Sequence, residues 1–138
     1  MIVEIRAGEN ELYQVCEILE PLVRARKLIL LSGEMGSGKT TLVKTLMKKM
    51  GVGSSVQSPT YSLVNTYDIG EGPEVYHFDL YRLNRPEEAE EAGIAELLQK
   101  NRCRIVEWPE RLPSGYYENP VRVSIETTIH ERIYRIEG

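Results

Sequence analysis

With 138 residues and 41% apolar side chains, the chain has the length of one domain and enough apolar surface for a packed core, so residues 1–138 are expected to form a single domain. A net charge of −4 supplies no global basic field, and neither DNA nor a membrane is expected as a partner. No apolar run approaches the ~18 residues of a membrane span, MIVEIRAGENE lacks a signal-peptide core, and Cys16 and Cys103 lack metal-type spacing, so a cytoplasmic protein with buried thiols is expected.

In chain order, IVEIRA alternates apolar and polar residues and predicts a first strand, and ENELYQVCEILEPLVRA has helical periodicity despite Pro21. KLILLSG follows, and its unbroken Leu28 to Leu31 run fits a strand buried on both faces of a parallel sheet. Next comes GEMGSGKT, in which Gly33, Gly38, Lys39 and Thr40 satisfy the phosphate-loop pattern G-x-x-x-x-G-K-[ST]. In that pattern glycines let successive N–H groups converge on phosphate oxygens. Lys39 would reach the β/γ-phosphates, and the Thr40 hydroxyl would hold Mg²⁺. An ordinary glycine-rich turn is the alternative, and the flanks decide against it. A strand leads in, and KTTLVKTLMKKMG leads out with Leu42, Val43, Leu46, Met47 and Met50 at helical spacing and Gly51 past the end. Such a helix also aims its positive dipole end at the phosphates.

Beyond it, GVGSSVQSPT reads as an exposed loop. YSLVNTYD and EVYHFDLYRL flank IGEGP and predict a hairpin. PEEAEEAGIAELLQKN predicts one helix opening on proline and acids, RCRIVEW a short core strand, and VRVSIET with ERIYRIE a closing antiparallel pair. Strands alternating with helices around a phosphate loop imply an α/β fold: a three-layer P-loop NTPase-like domain with a mostly parallel central sheet and an antiparallel edge.

Hydrolysis or transfer also needs a carboxylate near Mg²⁺ and a group to orient the attacking oxygen. Asp79, after VYHF, and Glu107, after RIV, end β-rich runs on the side where α/β sheets bind ligands. Each is a candidate catalytic acid and metal ligand, with a solvated strand-end acid as the alternative. Thr60 in SPTYS has a hydroxyl able to act as a switch onto Mg²⁺ or a γ-phosphate, or is a turn threonine after Pro59. Trp108, the sole tryptophan, either packs in the core or shields the phosphate site or a partner contact. His77, between Tyr76 and Phe78, reads as a half-buried or surface histidine, and neither it nor His130 has a second metal-spaced ligand. Lys44, Lys48, Lys49, Arg82 and Arg85 read as solvated charge, with an RNA- or partner-facing patch as the alternative.

Taken together, SGEMGSGKTTL, SPTYSLVNTY, VYHFDLYRL and IVEWPERL, in this order and spacing, closely resemble the bacterial TsaE (YjeE) family over most of the chain. Many members have Asp and Leu where this chain has Glu34 and Met35, a mild departure. The resemblance implies an ATPase needed for the threonylcarbamoyladenosine modification of tRNAs reading codons that begin with A. It implies TsaB and TsaD as partners, tRNA met only through that complex, and ATP and Mg²⁺ as cofactors. The transfer of the threonylcarbamoyl group would lie elsewhere. Carried over, Gly33, Glu34, Met35, Gly36, Ser37, Gly38, Lys39, Thr40 and Thr41 would hold the phosphates, and Thr40 with Glu107 the metal. Asp79 matches the Walker-B-like acid, Thr60 the switch threonine, and Trp108 the tryptophan beside the acid. Glu9, Asn10 and Arg132 fall where the N-terminal segment and closing strands of the family reach nucleotide. A small P-loop kinase acting on a metabolite, with LYRLNRPEE as its lid, and a nucleotide-gated binding module are the rival readings.

Overall fold

The computed structural model describes residues 2–8, 11–52, 63–113 and 115–138. Its elements run β1 (Ile2–Ala7), α1 (Leu12–Arg24), β2 (Leu28–Gly33), α2 (Lys39–Lys49), β3 (Val64–Tyr67) and β4 (Val75–Asp79). They continue with α3 (Pro86–Glu91), α4 (Ile94–Leu98), β5 (Arg104–Glu107), a 3₁₀ turn (Pro109–Arg111), β6 (Val121–Thr127) and β7 (Arg132–Glu137).

All seven strands form one sheet in the order β1-β7-β6-β2-β5-β4-β3. β2 lies at its middle because it has nothing polar to show: Leu28, Ile29, Leu30 and Leu31 are each at most 4% exposed, and each contributes roughly 1.5–3 kcal/mol by burial. It pairs in parallel with β5 on one side and β6 on the other, and β4 joins β5 in parallel. Parallel pairing therefore holds across the centre. Antiparallel pairing occupies both flanks rather than one edge: the predicted hairpin β3–β4 on one side, and β6–β7–β1 on the other.

Alternation along the strands splits the core. Ile29, Leu31, Ile105, Val123 and Tyr134 pack with α1 and α2, while Leu28, Leu30, Phe78 and Val106 pack with residues of α3 and α4. The segment expected as one helix is two, broken at Gly93 with φ 70°. A left-handed residue ends one helix and caps the next, a conformation glycine takes without a Cβ penalty. Both thiols are buried as expected, and burial pushes Cys16 up to about 11 and Cys103 up to about 12. Among the described residues no helix is long and apolar enough to cross a membrane.

Candidate phosphate and cation site

The carboxyl ends of β2, β4 and β5 lie side by side, so the loop after β2 and the acids ending β4 and β5 meet across one cleft of about 360 Å³. Residues 34–41 form one wall, Asp79, Tyr81, Glu107 and Trp108 another, and Arg132 closes a side. The loop turns through Gly36 at φ 79° and Gly38 at φ 101°, the second directly before α2. That places the first orphan N–H groups of α2 at the cleft. Gly33 stands where the backbone is tightest: a Cβ there would fall 2.5 Å from Ser37 Oγ and 3.1 Å from the Ile125 carbonyl oxygen.

Lys39 is only 5% exposed. Its ammonium donates to the carbonyls of Gly33 and Glu34 and sits 3.7 Å from the centroid of the Trp108 ring. Burial lowers its pKa, against an opposing pull from Glu107, Glu110 and Asp79. The lysine is thus held by loop carbonyls and a π face, a set of partners that a polyanion in the cleft would outbid electrostatically. Trp108 itself adopts φ 60°, ψ 50° before Pro109, an uncommon backbone state for a bulky residue. That turn swings its indole over Lys39 and against Tyr81, with ring centroids 5.2 Å apart. The ring is partly buried, packing against the core layer that holds Phe78 and Val106 while also covering Lys39, so the placement agrees with both sequence readings.

Glu107 is 2% exposed, and both of its carboxylate oxygens lie within reach of the Thr40 hydroxyl, at 3.1 and 3.2 Å. Two ligand oxygens on neighbouring vertices of a Mg²⁺ octahedron with bonds of about 2.0–2.1 Å lie roughly 2.9–3.0 Å apart. The Thr40–Glu107 separation fits such an edge. Among the described residues no group of three or more His, Cys, Asp or Glu side chains could hold a metal. A cation here would complete its shell with phosphate and water oxygens, as Mg²⁺ does. Ser37 is 2% exposed, and its Oγ, without a hydrogen-bond partner among the described residues, is a further polar atom behind the loop.

Asp79 differs. It faces Glu107 in register but is exposed, and its Oδ1 accepts the Tyr81 N–H at 3.2 Å. The structure brings it to the cleft without joining it to Thr40. Arg132, the first residue of β7, lays its guanidinium against Gly38, whose added Cβ would lie 3.5 Å from Nε, and that Nε has no hydrogen-bond partner among the described residues. Met35 is 65% exposed at the rim. Glu9, Asn10 and Thr60 lie outside the described residues.

One expectation is overturned. His77 is neither on the surface nor half-buried: it is 3% exposed, and its Nε2 lies 2.5 Å from Glu107 Oε2. On its far side Nδ1 is 3.5 Å from the Tyr67 hydroxyl. The sequence held half of this signal, since residues 77 and 79 share a strand face by period two. The parallel register that sets β4 beside β5 was not in it. A second cavity, of about 320 Å³, opens at the amino ends of β4 and β5. There Arg24 already pairs with Glu71 and Glu20, and no predicted residue lines it.

A glycine-rich loop between a buried parallel strand and a helix, facing acids from neighbouring strands, belongs here to an α/β protein with a seven-stranded mixed sheet that is parallel at its centre. More narrowly, the chain belongs to the TsaE family: the profile described as "Threonylcarbamoyl adenosine biosynthesis protein TsaE" matches residues 7–135. The tRNA threonylcarbamoyladenosine biosynthesis protein TsaE of Aquifex aeolicus is 34% identical over 139 aligned positions, 95% of this chain and 94% of that one. Its namesake in Haemophilus influenzae is 39% identical over 99 residues, 72% of this chain and 62% of that protein. The match to a Rickettsia conorii namesake is 36% identical and covers 75% of this chain and 58% of that one. The chain thus spans about three fifths of the length of these last two relatives. In fold, it resembles the crystal structure of Bacillus subtilis YdiB, with TM-score 0.68, 19% identity, and coverage of 99% of this chain and 84% of that chain.

Proposed function

We propose that this chain is a three-layer P-loop NTPase that binds and hydrolyses Mg·ATP in support of threonylcarbamoyladenosine formation on tRNA, working with TsaB and TsaD in the cytoplasm. The observation that carries the reading is the convergence of Thr40 and Glu107 at the mouth of the glycine loop. Family membership supplies the pathway, through the names its relatives carry.

In this reading Lys39 leaves the Gly33 and Glu34 carbonyls for the β/γ-phosphate oxygens, and N–H groups of residues 34–41 close around them. Arg132, already against Gly38, adds a guanidinium on the open side. Thr40 and Glu107 would hold Mg²⁺, which would supply charge neutralisation on the phosphates. Asp79, solvated at the neighbouring strand end, orients the water whose oxygen bonds to the γ-phosphorus as the bond to ADP breaks. Thr60 as a switch threonine and Asn10 as a nucleotide contact are roles taken from the family resemblance alone, since both lie outside the described residues. No [NT]-K-x-D guanine-reading string occurs, which leans the base toward adenine. The metabolite-kinase alternative gains little, because Arg85 in its lid pairs with Glu88 and Glu91.

Reconstituting tRNA modification with TsaB and TsaD, with and without this protein, tests the reading. Multiple turnovers should require the chain and ATP. Equal modification without it would refute the assignment, and phosphate transfer to a metabolite instead of water would favour the kinase.

A further inference from the structure

The acid assigned to the cation is not free to choose how it binds. Glu107 sits on β5 with both oxygens nearly sealed from solvent, and its Oε2 is engaged by His77 from the adjacent strand β4. A carboxylate only accepts hydrogen bonds, so Nε2 must carry the proton, an assignment made from the hydrogen-bond network. Nδ1 is then an acceptor for the Tyr67 O–H. Burial and the charge of Glu107 raise the pKa of that phenol, keeping it a donor. The stacked approach of the two rings, with centroids 6.0 Å apart and planes 26° apart, fixes the imidazole from the β3 side. Hence donation runs from Tyr67 through His77 into Glu107, and the Thr40 hydroxyl donates into the same carboxylate from the other side.

We propose that His77 is a positioning residue that occupies Oε2 of Glu107, leaving Oε1 as a single ligand oxygen beside Thr40, and so sets a preference for Mg²⁺ over Ca²⁺. This rests on the reading of Thr40 and Glu107 as cation ligands. The physical reason is denticity. Mg²⁺ requires near-octahedral geometry and takes a carboxylate through one oxygen, whereas the larger Ca²⁺ accepts more ligands and both oxygens of one carboxylate. A carboxylate pinned on one side suits the first ion. Hydrogen-bonding partners of a ligand typically contribute about 10–100-fold in metal affinity.

The test is calorimetric binding of the non-hydrolysable analogue AMP-PNP to the full chain with Mg²⁺, with Ca²⁺ and with a chelator, for wild type, His77→Ala, His77→Gln and Tyr67→Phe. In His77→Ala the tightening produced by Mg²⁺ should shrink about tenfold or more while that produced by Ca²⁺ changes less. Affinity in the chelator should persist, which also reports that the fold is intact. His77→Gln, with an N–H on a side chain of similar reach, should recover part of the Mg²⁺ effect, and Tyr67→Phe should lose less than His77→Ala. Unchanged Mg²⁺ tightening in His77→Ala, or equal losses for both ions, overturns the inference alone. Absence of any metal-dependent binding in wild type overturns the cation site itself and the inference with it.

Discussion

Two carboxylates stand side by side at the ends of β4 and β5, yet they are chemically unlike. Glu107 is buried, held by His77 and Thr40, and fixed before any ligand arrives. Asp79, its register partner, is exposed, and among the described residues its carboxylate accepts from the backbone of its own turn. Neighbouring register therefore does not mean shared work. A pre-oriented acid suits a cation whose geometry is strict. A solvated acid suits water, which must enter and be replaced at each turnover.

The sharpest way to break this contrast is to make the same substitution at both ends. Glu107→Ala should abolish ATP turnover, by about 10²-fold or more, and should also destabilise the fold by roughly 1–3 kcal/mol through lost buried hydrogen bonds. Lys39→Ala should match it in turnover. Asp79→Ala should slow turnover by about 10–100-fold, with Mg²⁺-dependent nucleotide binding kept and stability changed by no more than about 0.5 kcal/mol. Steady-state phosphate release and thermal melts on both variants check the pair. Equal losses of metal-dependent binding at the two positions would erase the distinction.

The backbone beneath the buried end gives a second test. Gly33→Ala should lower stability by about 1–3 kcal/mol through overpacking against Ser37 and Ile125, read as a drop in melting temperature. Gly36→Ala meets no atom within 4 Å but must hold φ 79°, so its cost is conformational and smaller.

A subtler effect concerns Lys39. Its folded pKa lies below its unfolded value chiefly because it is buried, so the protonated form costs stability. That cost is complete below the folded pKa, is relieved as pH rises through it, and has vanished above the unfolded value. Lys39→Met should therefore raise the melting temperature of the nucleotide-free protein at neutral pH, by about 0.5–1 kcal/mol of stability. Its advantage should shrink as wild type loses the proton at alkaline pH. Nucleotide should stabilise wild type and leave Lys39→Met unmoved. Because Trp108 stacks on the same ammonium, its fluorescence should change as Lys39 moves to phosphate.

What could be read from the chain was whatever depends on neighbours in sequence. The loop, the buried strand before it, the helix after it and the acids ending β4 and β5 are local patterns, and each lies where local reasoning set it. His77 escaped because its partner sits 30 positions away, and only the parallel register of β4 on β5 brings them together. The β3–β4 hairpin and the β6–β7 pair were legible locally, but their places on opposite flanks and the addition of β1 to β7 were not, since strand order is a long-range property. The break at Gly93 was missed for a different reason. One glycine within a helical pattern is often tolerated, and nothing nearby announces that this one takes a left-handed conformation.

Titrating Mg²⁺ with AMP-PNP into wild type and Glu107→Ala by calorimetry tests the central claim most directly. The account predicts one site per chain in wild type that depends on the ion, and loss of that dependence in Glu107→Ala with the fold retained. Nucleotide binding that ignores Mg²⁺ in wild type, or survives with full ion dependence in Glu107→Ala, would contradict it.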